Sequence, residues 1–175
     1  PEYLYYIENN NFFTKAPLSD YAHAPSTTPD YITTALALGD MDGDGDLDAI
    51  IGQYESFALV YFENSLNTFG FWQAGSIIDR LPADAGKLIE WIACGDVDGD
   101  GDTDFVTSSG DNKETTHNVV LYNNSYGVQP RLLKSYTSQD GGLRKVDLRD
   151  MNNDGCADLI VLASGRIWIY DIKAG

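Results

Sequence analysis

Short β-type apolar stretches recur along this chain, always in the same order. Residues 3–9 carry Tyr3, Leu4, Tyr5, Tyr6 and Ile7 before a polar turn; the same element returns at 59–64 and 119–124, and again at 167–171 as Ile167-Trp168-Ile169-Tyr170-Asp171. Each reads as a strand running into a turn. A second kind of strand follows at 12–16, 69–78 and 131–137, and a third at 31–38, 88–94 and 143–148. One face of the third kind repeats (Leu36, Ile92 and Val146; Leu38, Cys94 and Leu148). Its other face varies (Ala35, Trp91 and Lys145), as expected where side chains meet solvent or line a channel. The fourth kind, Ala49-Ile50-Ile51, Phe105-Val106-Thr107 and Leu159-Ile160-Val161, is apolar on both faces and should be covered on both. No segment has helical periodicity. The expected fold is all-β, built from repeated four-stranded units. The longest connection, 17–29, holds three prolines and is expected to be a surface loop.

Between the third and fourth kinds of strand lies an Asp/Gly loop, present three times. Its first acidic positions, Asp40, Asp96 and Asp150, are 56 and then 54 residues apart. A period near that length marks a modular array such as the blades of a propeller. Numbered from that residue, the first copy places side-chain oxygens at one, three, five and nine: Asp40, Asp42, Asp44 and Asp48. Gly45 at six allows a sharp turn, and Asp46 at seven offers a backbone carbonyl. The second copy reads Asp96, Asp98, Asp100, Asp102 and Asp104, with Gly101 at six. The third reads Asp150, Asn152, Asp154, Cys156 and Asp158, with Gly155 at six. Hard oxygen donors converging from a tight loop suit calcium, which takes 6–8 of them; magnesium demands a stricter octahedron, and no His/Cys set of zinc type exists. Five carboxylates in nine residues would repel one another without a cation. Asn152 removes one charge, so the third loop is expected to bind most weakly. An EF-hand needs an acidic ligand at position twelve and flanking helices; Ile51, Thr107 and Val161 stand there, each in a β-type run. The same absence argues against a dockerin.

Asp-x-Asp-x-Asp-Gly-x-x-Asp between two strands, recurring at this period over essentially the whole chain, resembles the FG-GAP or VCBS repeat. The Phe-Gly and Gly-Ala-Pro signatures of integrin α chains are not clear in it, so VCBS-like describes it better. The resemblance implies a β-propeller-type array of about three four-stranded blades, each with a calcium loop between its first and second strands, and about three bound calcium ions. Residues 1–175 would form one domain: a partial blade at 1–29, repeats at 30–86 and 87–141, and an incomplete repeat at 142–175. Three blades do not close a propeller, which typically has 4–8, and bare edges invite pairing. A homo-oligomer or filament joined through the incomplete end blades is therefore expected, or else membership of a longer repeat array. The same repeats occur in fungal lectins, which makes a glycan ligand, stacked on Trp72, Trp91 or Trp168, the alternative to a structural or adhesion role. Trp91 aligns with Ala35 and Lys145, so these tryptophans do not recur as a repeated sugar site would.

The chain has 175 residues and a net charge of −16, with 27 acidic side chains, thirteen of them in the three loops. That balance argues against nucleic acid and anionic membranes as partners. Three calcium ions would bring the charge to about −10, so much of the imbalance reads as ligand charge. No apolar run approaches the ~18 residues of a membrane span. The chain opens at Pro1 without a signal peptide, as a mature or excised chain would. Two cysteines make no disulfide framework, and Cys94, level with Leu38 and Leu148, is expected to fill core. The only histidines, His23 and His117, are expected to be exposed loop residues. With no nucleophile–base pair, phosphate loop or nucleophile elbow, the expected class is a non-enzyme. Extracellular calcium modules work in the 10⁻⁴–10⁻³ M range, which favours an extracellular or cell-surface location. One sequon, Asn123-Asn124-Ser125, offers Asn123 for glycosylation.

Overall fold

The structure, a computed structural model, describes residues 5–9, 13–17, 33–54, 58–65, 71–72, 76–80, 87–111, 116–124, 129–137 and 142–172. Its strands, in chain order, are β1 (Tyr5–Asn9), β2 (Phe13–Pro17), β3 (Thr33–Gly39), β4 (Asp48–Gln53), β5 (Ala58–Phe62), β6 (Asn64–Ser65), β7 (Phe71–Trp72), β8 (Ser76–Arg80), β9 (Lys87–Gly95), β10 (Asp104–Asp111), β11 (Thr116–Asn123), β12 (Gln129–Thr137), β13 (Leu143–Arg149), β14 (Asp158–Ala163) and β15 (Arg166–Tyr170). No helix occurs among the described residues, so none there could cross a membrane as a helix. The fold is all-β.

Three larger antiparallel sheets carry the molecule: β3-β4-β5-β8, β9-β10-β11-β12 and β13-β14-β15. β1-β2 and β6-β7 form two further two-stranded sheets. Every neighbour in a large sheet follows in sequence, apart from the β6-β7 excursion between β5 and β8. Each Asp/Gly loop joins the first and second strands of its sheet in the same register. Leu38 lies opposite Ala49, Cys94 opposite Phe105, and Leu148 opposite Leu159. The first pair of strands also has a bulge at one equivalent place in each sheet, at Thr34, Glu90 and Arg144. A bulge bends its strand and sharpens the local twist, so the curvature of the three sheets repeats along with the loops.

The sheets stack face to face, β3 and β4 on β9, then β9 and β10 on β13. Strand alternation divides the core accordingly. In β10, Phe105 joins Ile50, Leu59, Ile89, Ile92 and Tyr122 between the first and second sheets. The next residue, Val106, joins Val119, Leu121, Val146, Leu148, Leu159 and Val161 between the second and third. The Phe105 and Tyr122 rings stack with centroids 4.6 Å apart. Side chains buried this completely contribute ~1.5–3 kcal/mol each. The fourth strand kind is covered on both faces in the first two sheets, where Ala49 to Ile51 and Phe105 to Thr107 are buried; in the third, Leu159 and Val161 are buried on one face, while on the other Ile160 is half-buried and Leu162 is 38% exposed. Sheet approach is close enough that a Cβ on Gly52 would lie 2.8 Å from Ile89 Cβ.

Three expectations need correction. Leu36 and Leu38 are 48% and 52% exposed while their counterparts Val146 and Leu148 are each 1% exposed. The β3 residues that pack toward the second sheet are Ala35 and Ala37, so Leu36 and Leu38 point the other way. Ala35 therefore packs rather than lining a channel. His117 is no exposed loop residue. It is 5% exposed in β11, and its Nδ1 lies 3.0 Å from Glu90 Oε2 on β9. His23 and most of the proline-rich loop lie outside the described residues.

Candidate metal centre

The Asp/Gly loops 40–47, 96–103 and 150–157 fold alike because their own side chains replace the missing strand ladder. The position-one carboxylate accepts backbone N–H groups on both oxygens, and Asp150 takes the Asp154 N–H at 3.1 Å besides the two that the loops share. Asp40 takes Gly43 at 2.8 Å and Gly45 at 2.9 Å, Asp96 takes Gly99 at 2.6 Å and Gly101 at 3.0 Å, and Asp150 takes Asn153 at 2.6 Å and Gly155 at 2.9 Å. Position three accepts from the N–H of position five: Asp42 from Asp44, Asp98 from Asp100, Asn152 from Asp154. Position five accepts from position seven: Asp44 from Asp46, Asp100 from Asp102, Asp154 from Cys156. These Asx-type bonds to the residue two ahead turn the chain back on itself.

Two positions need left-handed backbone. Position six has φ of +92° at Gly45, +94° at Gly101 and +91° at Gly155, and position four has +78° at Gly43, +80° at Gly99 and +62° at Asn153. Only position six was anticipated. The signal for position four was present, since Gly, Gly and Asn are the residue types that tolerate this conformation best.

Position nine is the buried anchor. Asp48, Asp104 and Asp158 are 1%, 0% and 5% exposed, and each accepts the N–H of position two: Met41 at 2.8 Å, Val97 at 2.9 Å and Met151 at 3.1 Å. In the first two repeats its other oxygen accepts an N–H from the end of the third strand, Asn64 and Asn124, both at 2.8 Å. Tyr61 also donates its hydroxyl to Asp48. Burial pushes the Asp104 carboxyl above its ordinary range, helped by Asp98 and Asp100 and opposed by the Val97 and Asn124 N–H groups. Burial likewise raises Asp42, with Asp48, Asp44 and Glu63 adding to it. Carboxylates held together at this cost in charge have the electrostatics of a cation site.

The convergence is direct in two loops. Carboxylate oxygens of Asp40, Asp42 and Asp48 lie within 4.8 Å of one another, as do those of Asp96, Asp98 and Asp104. Either cluster could hold a metal ion, and its donors are all hard oxygens, the chemistry that suits calcium. Asp44 and Asp100 stand outside these sets and brace the turn. Asp46 and Asp102 donate their N–H groups to Asp44 and Asp100. The third loop repeats the hydrogen bonds with Asn152 where the others have a carboxylate.

Neighbouring loops touch. Asn124 donates its side-chain amide to the Met41 carbonyl at 2.8 Å, and the Ala157 N–H donates to the Asp96 carbonyl at 2.6 Å. A Cβ on Gly99 would sit 3.0 Å from Cys156 Sγ. Both cysteines are free thiols. Cys94 packs against the first inter-sheet core, and burial pushes its thiol up to about 12. Asn123, the sequon residue, donates its Nδ2 to Asp98 Oδ2 at 2.8 Å. The tryptophans are not gathered: Trp91 lies opposite Ser108 and Trp168 opposite Val161, each 41% exposed, and the Trp72 side chain falls outside the described part.

The family model described as FG-GAP-like repeat matches the chain twice, over residues 40–107 and 96–161. Each match runs from the first residue of one Asp/Gly loop to the strand after the next. No curated protein matches the chain.

Proposed function

The chain belongs to the FG-GAP-like repeat family, and on that premise we propose that it is a calcium-binding structural or adhesion module of the extracellular space or cell surface. The observation that carries this reading is the convergence of positions one, three and nine in the first two loops, whose turn hydrogen bonds repeat. Each loop would hold one ion through the side chains of Asp40, Asp42, Asp44 and Asp48, of Asp96, Asp98, Asp100 and Asp104, or of Asp150, Asn152, Asp154 and Asp158, with the carbonyls of Asp46, Asp102 and Cys156. A bound divalent cation supplies the positive charge that offsets carboxylate repulsion, and its binding free energy adds to folding stability. The role is structural, not enzymatic.

In this reading residues 1–175 form one propeller-type domain, with a partial blade at 1–29 and repeats at 30–86, 87–141 and 142–175. The end sheets assemble with further copies into an oligomer or filament. Large apolar side chains stand exposed on the third sheet, with Ile167 70% and Ile169 52% exposed, and such a face favours a partner. Thermal unfolding with calcium and then with chelator, followed by light scattering in both, tests the proposal. The expected result is a higher melting temperature and a larger particle with calcium; identical melts and masses would refute it.

One observation favours a second reading, a glycan-binding module. A cavity of about 400 Å³ opens beside the first loop, lined by Met41, Asp42, Tyr61, Ser76, Ile78 and Asn124. A tyrosine ring beside amide, hydroxyl and carboxylate groups is a surface on which a sugar can stack and hydrogen-bond. A glycan array in calcium buffer tests it, and an array without hits removes it.

A further inference from the structure

The third strand of each sheet ends in an aromatic residue held in one register: Phe62 opposite Ala49, Tyr122 opposite Phe105, Tyr170 opposite Leu159. The next residues, Glu63, Asn123 and Asp171, are therefore equivalent, and the family motif assigns them nothing. In the second repeat this residue reaches the loop, for Asn123 Nδ2 donates to Asp98 Oδ2 at 2.8 Å. The strand end thus meets position three of the loop.

The two positions differ between repeats in a linked way. The second repeat pairs an acid in the loop with an amide at the strand end, Asp98 with Asn123. The third exchanges them, Asn152 with Asp171. The first has an acid at both, Asp42 and Glu63. The Glu63 Oε1 accepts the hydroxyl of the buried Ser65 at 2.8 Å, which fixes it at the strand end. An amide at the strand end orients the position-three carboxylate by hydrogen bonding; an acid there contributes charge of its own.

We propose that this strand-end residue is part of each cation site and, together with position three, sets that site's charge and affinity. The inference rests on the calcium reading above. Counting positions one, three, five and nine with the strand end, the loops carry five, four and four acids in chain order. Asp171 restores to the third loop the charge that Asn152 removes. The third site is then matched to the second rather than weakest of the three, and the first site binds most tightly.

A calcium titration of the ¹⁵N-labelled full chain tests this, because the N–H groups of Gly45, Gly101 and Gly155 each bond to the position-one carboxylate of one loop and report it separately. In the wild type, Gly45 should saturate first, with Gly101 and Gly155 close together. Glu63→Gln should weaken the Gly45 midpoint roughly tenfold, the effect of removing one nearby charge from a partly solvated site, and leave the other two unchanged. Asp171→Asn should do the same at Gly155 alone. Asn123→Asp should tighten Gly101. Midpoints in Glu63→Gln and Asp171→Asn within twofold of wild type would overturn the inference while the calcium reading stood. Glycine amides that never move with calcium would overturn both.

Discussion

Replacing Asp104 by Ala separates what position nine does for the fold from what it does for a cation. The carboxylate is 0% exposed and accepts the N–H groups of Val97 and Asn124 at 2.9 and 2.8 Å. Alanine leaves both donors without that partner. The Val97 donor is fully buried and its desolvation costs ~1–3 kcal/mol; the half-buried Asn124 donor can recover water and costs ~1 kcal/mol or less. Removing a charge that burial already disfavours offsets part of this, for a net loss of about 2 kcal/mol. In a chain of this size that lowers the melting temperature by about 4–8 °C, with chelator present and no cation involved. Asp98→Ala is the control. Its carboxylate is exposed and its bonds, from Asp100 N–H at 3.3 Å and Asn123 Nδ2 at 2.8 Å, are replaceable by water. It should cost under about 0.5 kcal/mol in chelator yet abolish the calcium response of the second loop. Circular-dichroism melts of the three proteins with chelator and with calcium decide the matter. An Asp104→Ala melt within about 1 °C of wild type in chelator would refute position nine as a structural anchor.

Other predictions concern packing, pH and thiol chemistry. Gly52→Ala should lose about 1–3 kcal/mol in denaturant unfolding, since its Cβ would stand 2.8 Å from Ile89 Cβ and Cγ2; an unchanged midpoint would show that the sheets can part there freely. Asp42 and Asp104 are raised from an ordinary 3.8, so the folded chain keeps protons that the unfolded chain releases above that value. Stability in chelator should therefore fall as pH rises from about 4 toward 7, whereas in calcium, which binds the ionised carboxylates, it should rise. A chelated melt that climbs with pH over this window would contradict the sign. With its thiol pushed up to about 12, Cys94 should react with a disulfide reagent at pH 8 only on unfolding, leaving Cys156 as the one readily titrated native thiol. Two equivalents of equal native reactivity would refute this.

The residues that declared the fold in advance are those whose environment is set locally. The run at Phe105 is apolar on both faces because its strand lies second in the middle sheet, with a sheet on either side. The Asp/Gly loops were legible because nearly all their hydrogen bonds close within nine residues, so spacing alone encodes geometry. What stayed hidden depends on partners distant in sequence. Nothing near His117 announces its burial; its partner Glu90 stands on the bulge of β9, two strands away across the sheet. Leu36 and Leu38 match Val146 and Leu148 in pattern, and only the direction of stacking exposes one pair and buries the other. Asn123 and Asn124 read as an ordinary polar turn and a sequon, yet one reaches Asp98 and the other the Met41 carbonyl of the preceding loop. The paired change at position three and the strand end could have been found by aligning the internal repeats over both elements at once.

The central claim is that these loops are calcium sites, and a calorimetric titration of the chelated full chain with calcium tests it most directly. The account predicts saturable binding of three ions per chain, with dissociation constants in the submillimolar-to-millimolar range of extracellular modules. No binding up to several millimolar calcium would contradict it and would leave the three loops as turns held by their own hydrogen bonds.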